Sequence, residues 1–322
     1  MRCVRALIAA LLVAASAGCE SRGPSRIRVL IIANSDVRDL PLAMAADDLR
    51  RQGYQIEITP MMTGALMVDA LSRGDAELAS FNNETLWTAI AKGLRAKTIV
   101  QRLSFPNMVI ARQGVTCRAM NGRPLAIGSQ TGLNPRLVGR YFQSRCPGTE
   151  PQLLVIPDSA ARTAALVTGR ADAALLPLEE FLRMQTAAPG KYATLVDLTQ
   201  EFPQLQVNAV QARGDWLEQH PREVRDVIRA LLGVHRRIIA NRGALYTRAL
   251  EQLKTEPKET TAVIDALIAA GAWHPNGALT RDNVQYTLSF LQEAGVVPKE
   301  LRVEDVSDLA PLNDVLNDIG RQ

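Results

Sequence analysis

The stretch ALVTGRADAA at residues 165 to 174 repeats the plan of ALSRGDAELA at residues 70 to 79, 95 positions earlier. The same offset holds elsewhere. It lays VLIIANSD (Val29 to Asp36) over PLAIGSQT (Pro124 to Thr131), in each case an apolar strand followed by a polar loop. It lays the helical run LPLAMAADDL beside NPRLVGRYFQ, Glu84 on Glu179, and Thr98 to Val100 near Ala193 to Leu195. One register spanning several elements points to two units built on one plan. With 322 residues, 47% of them hydrophobic and 22% charged, the chain has the apolar content for two such cores.

Each copy alternates strands with helices. Ile27 to Ala33 is a β-branched apolar run and reads as a buried strand; Pro41 to Gln52 reads as an amphipathic helix stopped by Gly53. Ile56 to Thr59 is a second strand, Ala65 to Arg73 a helix, and Ala76 to Ser80 a third strand. The glycine of the repeated ALxxG, Gly74 and then Gly169, stands where a helix ends in a left-handed residue. Such alternation implies parallel sheets covered on both faces, with ligands beyond the carboxyl ends of the strands. Two extended segments, Met108 to Gly114 and Val207 to Gly214, follow the copies and read as crossing strands, so that the chain leaves one unit near Ala111 and returns near Ala209. The remainder is helical: Pro221 to Ala240, Ala244 to Leu253, Lys258 to Ala270, Arg281 to Ala294, and a terminal stretch through Ile319.

The N-terminus reads as a targeting segment. Met1 to Arg5 is basic, Ala6 to Ala15 apolar, and Ser16 to Cys19 small residues ending in cysteine. This resembles a bacterial lipoprotein signal over residues 1–18, with Cys19 carrying the lipid and residues 19–26 a polar tether; Ser16 departs from the usual leucine. An ordinary signal cleaved near Ala17 and an uncleaved helix are the alternatives, the second disfavoured because the run is short for about 30 Å of hydrocarbon. Removing Arg2 and Arg5 leaves 35 basic against 33 acidic residues, which gives no electrostatic case for nucleic acid.

Cys3 leaves with the signal and Cys19 is the lipid site, so Cys117 and Cys146 remain as the pair for a disulfide, with free thiols the other state. Two cysteines without histidine neighbours make a poor zinc site, and neither metal nor cofactor is expected. His220, His235 and His274 read as solvated or structural.

In sequence order, ALSRGDAELA with the helix reaching Lys92-Gly93, then NGRPLAIGSQTG (Asn121 to Gly132), AALVTGRADAALLPLEEF (Ala164 to Phe181) and ARGDWLEQHPREVRDVIRALLGVHR (Ala212 to Arg236) resemble the ABC-importer solute-binding proteins of the nitrate, sulfonate and thiamine-pyrimidine group. The resemblance runs from Ile27 to the C-terminus. It implies an α/β, two-lobed type II periplasmic binding protein fold, a Venus flytrap with two crossing hinge strands and a helical C-terminal region packed on lobe one. Lobe one would comprise 27–111 and 207–322, lobe two 112–206. It implies a monomer that closes on one small molecule and delivers it to an ABC permease and ATPase complex; the lipoprotein-like N-terminus adds attachment to the membrane on the periplasmic side through its lipid alone.

The loops after the strands supply the candidate ligand residues: Asn34, Ser35 and Asp36; Asn82, Asn83 and Glu84; Arg102; Ser129, Gln130 and Thr131; and Glu179. Asp36, Glu84 and Glu179 have a simpler reading as helix caps or first-turn acids. Arg102 is the best-placed cation, with Arg38 and Arg136 nearby. The three carboxylates favour a neutral or cationic polar molecule, such as an amine-bearing heterocycle, over an oxyanion. Phe81, Trp87, Phe105 and Phe181 flank the loops, where a ring could stack, although core packing is the simpler expectation. Two other classes remain open: an enzyme like the family's pyrimidine-synthesis relatives, whose cysteine-rich motif is not found here, and a sensory or scaffold lipoprotein with the same fold.

Overall fold

The structure is a computed structural model and describes residues 25–33, 36–104, 107–254 and 256–322. The lipidation candidate Cys19, with Asn34, Ser35 and Phe105, lies outside the described residues.

The first copy of the repeat runs β1 (Arg26–Ile32), α1 (Leu40–Arg51), β2 (Gln55–Met61), α2 (Gly64–Arg73), β3 (Leu78–Asn82), α3 (Asn83–Ile90) and β4 (Ala96–Leu103). After β5 (Asn107–Arg112), the second copy runs β6 (Pro124–Ile127), α4 (Leu133–Arg145), β7 (Gln152–Val155), α5 (Ser159–Thr168), β8 (Ala173–Pro177), α6 (Leu178–Ala187), β9 (Tyr192–Asp197) and α7 (Leu198–Glu201). The 95-residue offset maps α2 onto α5 and β3 onto β8 end to end, and the start of α3 onto the start of α6. The local chemistry repeats with it. Thr63 caps α2 by accepting from the Leu66 N–H, and Asp158 caps α5 by accepting from the Ala161 N–H.

β10 (Asn208–Arg213) completes the strands. Two five-stranded sheets result, ordered β2-β1-β3-β10-β4 and β7-β6-β8-β5-β9. Both are mixed: β10 lies antiparallel between β3 and β4, and β5 antiparallel between β8 and β9. The expectation of purely parallel sheets therefore fails at one strand per sheet, because each crossing strand arrives from the opposite direction. β5 pairs wholly in the second sheet, burying Met108 to Ala111 there, so the first-sheet segment ends before Asn107 and not at residue 111.

The crossing strands also explain the repeated glycine. Gly74 and Gly169 hold φ of 76° and 81° at the ends of α2 and α5. The guanidinium of Arg213, closing β10, stands 2.6 Å from where a Cβ on Gly74 would be; that of Arg112, closing β5, stands 2.9 Å from the same point on Gly169. Each glycine meets both a left-handed backbone and an arginine laid across it.

The rest is helical: α8 (Gly214–Gln219), α9 (Pro221–Ala240), α10 (Gly243–Leu253), α11 (Pro257–Ala269), α12 (Arg281–Glu293), α13 (Val303–Val306) and α14 (Ala310–Ile319). α9 packs its apolar face on α1 and β4, and α13 and α14 also cover β4, so this region is built on lobe one. It reaches lobe two as well. α11 packs on α6, with Arg183 Nε 2.6 Å from Glu259, and Arg140 lies 3.0 Å from Glu293 at the end of α12. Cys117 and Cys146 form a disulfide that ties the loop before β6 to the end of α4. Among the described residues no helix is long and apolar enough to cross a membrane.

Candidate ligand-binding cleft

The carboxyl ends of β3 and β6 open on a cleft of about 830 Å³. Lobe one lines it with Asp69 on α2, Asn82, and Glu84, Thr85, Thr88 and Lys92 on and after α3. Lobe two contributes Ser129 and Thr131 from the loop after β6 and Asn134 and Arg136 from the first turn of α4; Asn208 enters from the returning chain. Four of the sequence candidates, Asn82, Glu84, Ser129 and Thr131, thus meet in one space from both lobes.

Their local roles differ. Asn82 caps α3, its Oδ1 accepting from the Thr85 N–H at 2.9 Å. Ser129 Oγ accepts from the Thr131 N–H at 3.1 Å, which folds the loop into a tight hydroxyl-braced turn. Glu84 crosses the cleft. Its Oε2 lies 3.6 Å from the point a Cβ on Gly132 would occupy, and the Leu133 N–H and Arg136 draw on its charge. Burial outweighs both and raises the Glu84 carboxyl above the ordinary carboxylate value.

Glu179, the repeat partner of Glu84, crosses in the other direction. It pairs with Arg38 at 3.0 Å, while Asp36 grips the same guanidinium from its own loop, the Arg38 Nε donating at 3.0 Å to each carboxylate oxygen. Burial again raises the Glu179 carboxyl in spite of Arg38, and its Oε2 is buried without a partner. These residues line a separate cavity of about 70 Å³, together with Arg183 of α6 and Val263 and Leu267 of α11. Asp36 does not cap α1; Asp39 holds that position and makes no side-chain cap bond.

Three candidates are placed elsewhere. Asn83 is buried in lobe one, where its Nδ2 donates to the Gln206 carbonyl at 3.1 Å and its Oδ1 accepts from Thr98 Oγ1 at 2.9 Å. Arg102 is buried in an ion pair with Asp39, away from the cleft. Gln130 is exposed at the tip of its turn and does not line the cleft. Phe81 and Trp87 are core residues, and no aromatic ring lines the cleft among the described residues. Nor do the described residues contain a group of three or more His, Cys, Asp or Glu able to hold a metal ion.

Asp69, Thr85, Thr88, Lys92 and Asn208 are cleft residues beyond the sequence candidates. A signal existed for part of this set: Thr85, Thr88 and Lys92 recur at helical spacing behind Glu84 and share its face.

Two mixed sheets, each completed by an antiparallel strand where the chain crosses between them, with a cleft at the strand ends, define the periplasmic binding protein fold. Solved structures bear this out. The ligand-binding component of an ABC-type import system from Staphylococcus aureus, determined with zinc bound, is 14% identical, with a TM-score of 0.70 over 90% of this chain and 99% of that one. The periplasmic aliphatic sulphonate binding protein SsuA from Escherichia coli is 15% identical, with a TM-score of 0.68 over 88% and 92%. The periplasmic nitrate-binding protein NrtA from Synechocystis PCC 6803 is 14% identical, with a TM-score of 0.66 over 92% and 89%. No curated protein matches the sequence. The chain belongs to the NMT1/THI5 like family, whose pattern matches residues 49–241, more than half its length.

Proposed function

We propose that the protein is the solute-binding component of an ABC importer, binding one small polar organic molecule between its lobes by hinge closure and delivering it to a membrane permease and ATPase. The observation that carries this reading is the cleft itself. Its polar side chains come from both lobes, at the ends of β3 and β6, so a ligand touching both sets is enclosed when the lobes meet. The composition supports a hydrogen-bonding solute over a flat ring: among the polar side chains amide and hydroxyl groups outnumber charged ones, and aromatic rings are absent from the described lining. Binding without chemistry fits the same residues. Ser129 faces Thr131, and none of the three histidines lines the cleft to serve it as a base. A lipid on Cys19 would hold the monomer at the periplasmic face of the membrane.

Native mass spectrometry of the protein from Glu20 onward, followed by denaturation and identification of the released mass, tests the proposal. A single small polar molecule is expected. A protein that carries nothing and is stabilised by no member of a panel of sulfonates, pyrimidines, amino acids and flavins would overturn it.

A further inference from the structure

Glu84 occupies a position that suits a bound anion. α4 starts after Gly132 with no side-chain cap and no acidic residue in its first turn, so its free amides and dipole face the cleft uncompensated by its own lobe. The negative charge they meet comes from lobe one, the carboxylate of Glu84, whose Oε2 lies within van der Waals reach of Gly132, 3.6 Å from the point a Cβ there would occupy. Two further groups beside it are unsatisfied: Arg136 Nε and Asn134 Oδ1 are buried with no hydrogen-bond partner, and Arg136 forms no ion pair among the described residues. About 830 Å³ of cleft surrounds this cluster, far more than one carboxylate fills.

We propose that Glu84 is a specificity-determining residue: a resident carboxylate that holds the anion position of the cleft, turns away free oxyanions and selects solutes that bring it an N–H or ammonium donor. This rests on the ligand-binding reading above. A free oxyanion must either displace Glu84 from α4 or sit beside it as a second negative charge, and both cost affinity. A solute with an N–H donor does neither. It adds a donor to the half-buried carboxylate, which burial has left under-compensated, while Glu84 keeps its place at α4.

The test is calorimetric titration of the purified protein with sodium methanesulfonate, nitrate and sulfate at matched ionic strength, since sulfate also stabilises proteins by exclusion from their surface. Wild type is compared with Glu84→Gln, which keeps the shape, Glu84→Ala, which clears the position, and Glu84→Ala/Arg136→Gln. Glu84→Ala should bind methanesulfonate at least about tenfold more tightly than wild type, with Glu84→Gln between them and the double variant returned towards wild type. Equal affinity in wild type and Glu84→Ala, or no binding of any of the three anions to any variant, overturns the proposal. So does release from wild type of a solute without an N–H donor, an outcome that leaves the ligand-binding reading intact; loss of that reading shows instead as a wild type that is empty and silent towards every solute class.

Discussion

Glu84 and Glu179 stand at the same place in two copies of one plan, and each reaches the other copy at the same place: Glu84 at Leu133, Glu179 at Arg38. Residues 38 and 133 are themselves 95 apart, so the two contacts are related by the pseudo-symmetry of the repeat. Both carboxyls are raised, chiefly by burial, which means that the charged forms pay more in desolvation than their partners return.

Combined with the proposed hinge closure, that balance predicts a pH dependence of closure. The groups concerned are Glu84 with the Leu133 N–H and Arg136, and Glu179 with Arg38, Asp36 and Arg183. In the hinge motion proposed above, parting of the lobes would return both carboxyls to water and to the ordinary value of 4.5, so the closed form would bind more protons than the open one. Acidification from neutrality towards that value should therefore favour closure of the ligand-free protein, seen as a falling radius of gyration in X-ray scattering. The Glu84→Gln/Glu179→Gln variant should be compact at pH 7 and insensitive to pH; a wild-type radius that rises on acidification would show the carboxylates to be latches instead.

His235 gives a separate acid sensitivity, in stability. It is wholly buried on α9, its Nδ1–H donates to the His274 carbonyl at 3.1 Å, and its Nε2 has no partner. Burial pushes its pKa down to about 4 from 6.5, so the unfolded chain binds the proton first. Stability should be complete above pH 6.5 and fall between there and pH 4, by up to about 3 kcal/mol if this group acts alone. Urea unfolding at a series of pH values, with His235→Asn flattening that window, checks it.

The Cys117–Cys146 disulfide closes a loop of 29 residues. Constraint of the unfolded chain on that scale is worth about 3.5 kcal/mol. The Cys117→Ser/Cys146→Ser variant should lose stability of that order with the fold retained, and alkylation of the unreduced wild type should label neither cysteine.

Gly74→Ala and Gly169→Ala should each destabilise by about 1–2 kcal/mol, because alanine is strained at the left-handed φ and its methyl must move an arginine. Equal effects in thermal unfolding would reflect the equivalence of the two sites. A neutral outcome at either would mean that the helix end relaxes.

Much of this was legible in the sequence because the repeat compares the chain with itself. The offset that aligns Gly74 with Gly169 also aligns β3 with β8 and Glu84 with Glu179; the glycines and strands share one geometry, and the glutamates reach equivalent positions on the other copy with different partners. What stayed hidden depended on partners distant in sequence. Asn83 and Asn82 are adjacent and chemically identical, yet one faces the cleft and the other is consumed by Gln206 and Thr98. Arg102 lies near the end of β4, and its partner, Asp39, stands 63 residues away just before α1, so sequence alone does not show the pair. The crossing at residue 111 was misjudged for a related reason: the apolar run of β5 announces burial without saying between which strands.

The exchange of crossing strands also orders the assembly of the molecule. All five strands of the second sheet come from one continuous stretch, residues 107–197, whereas the first sheet lacks the strand between β3 and β4 until residue 208 has been made. A chain emerging N-terminus first can complete its later lobe before its earlier one. Until then the edges of β3 and β4 stand unpaired, a template for the wrong partner. A nascent chain held just short of residue 208 should be the species most dependent on chaperones.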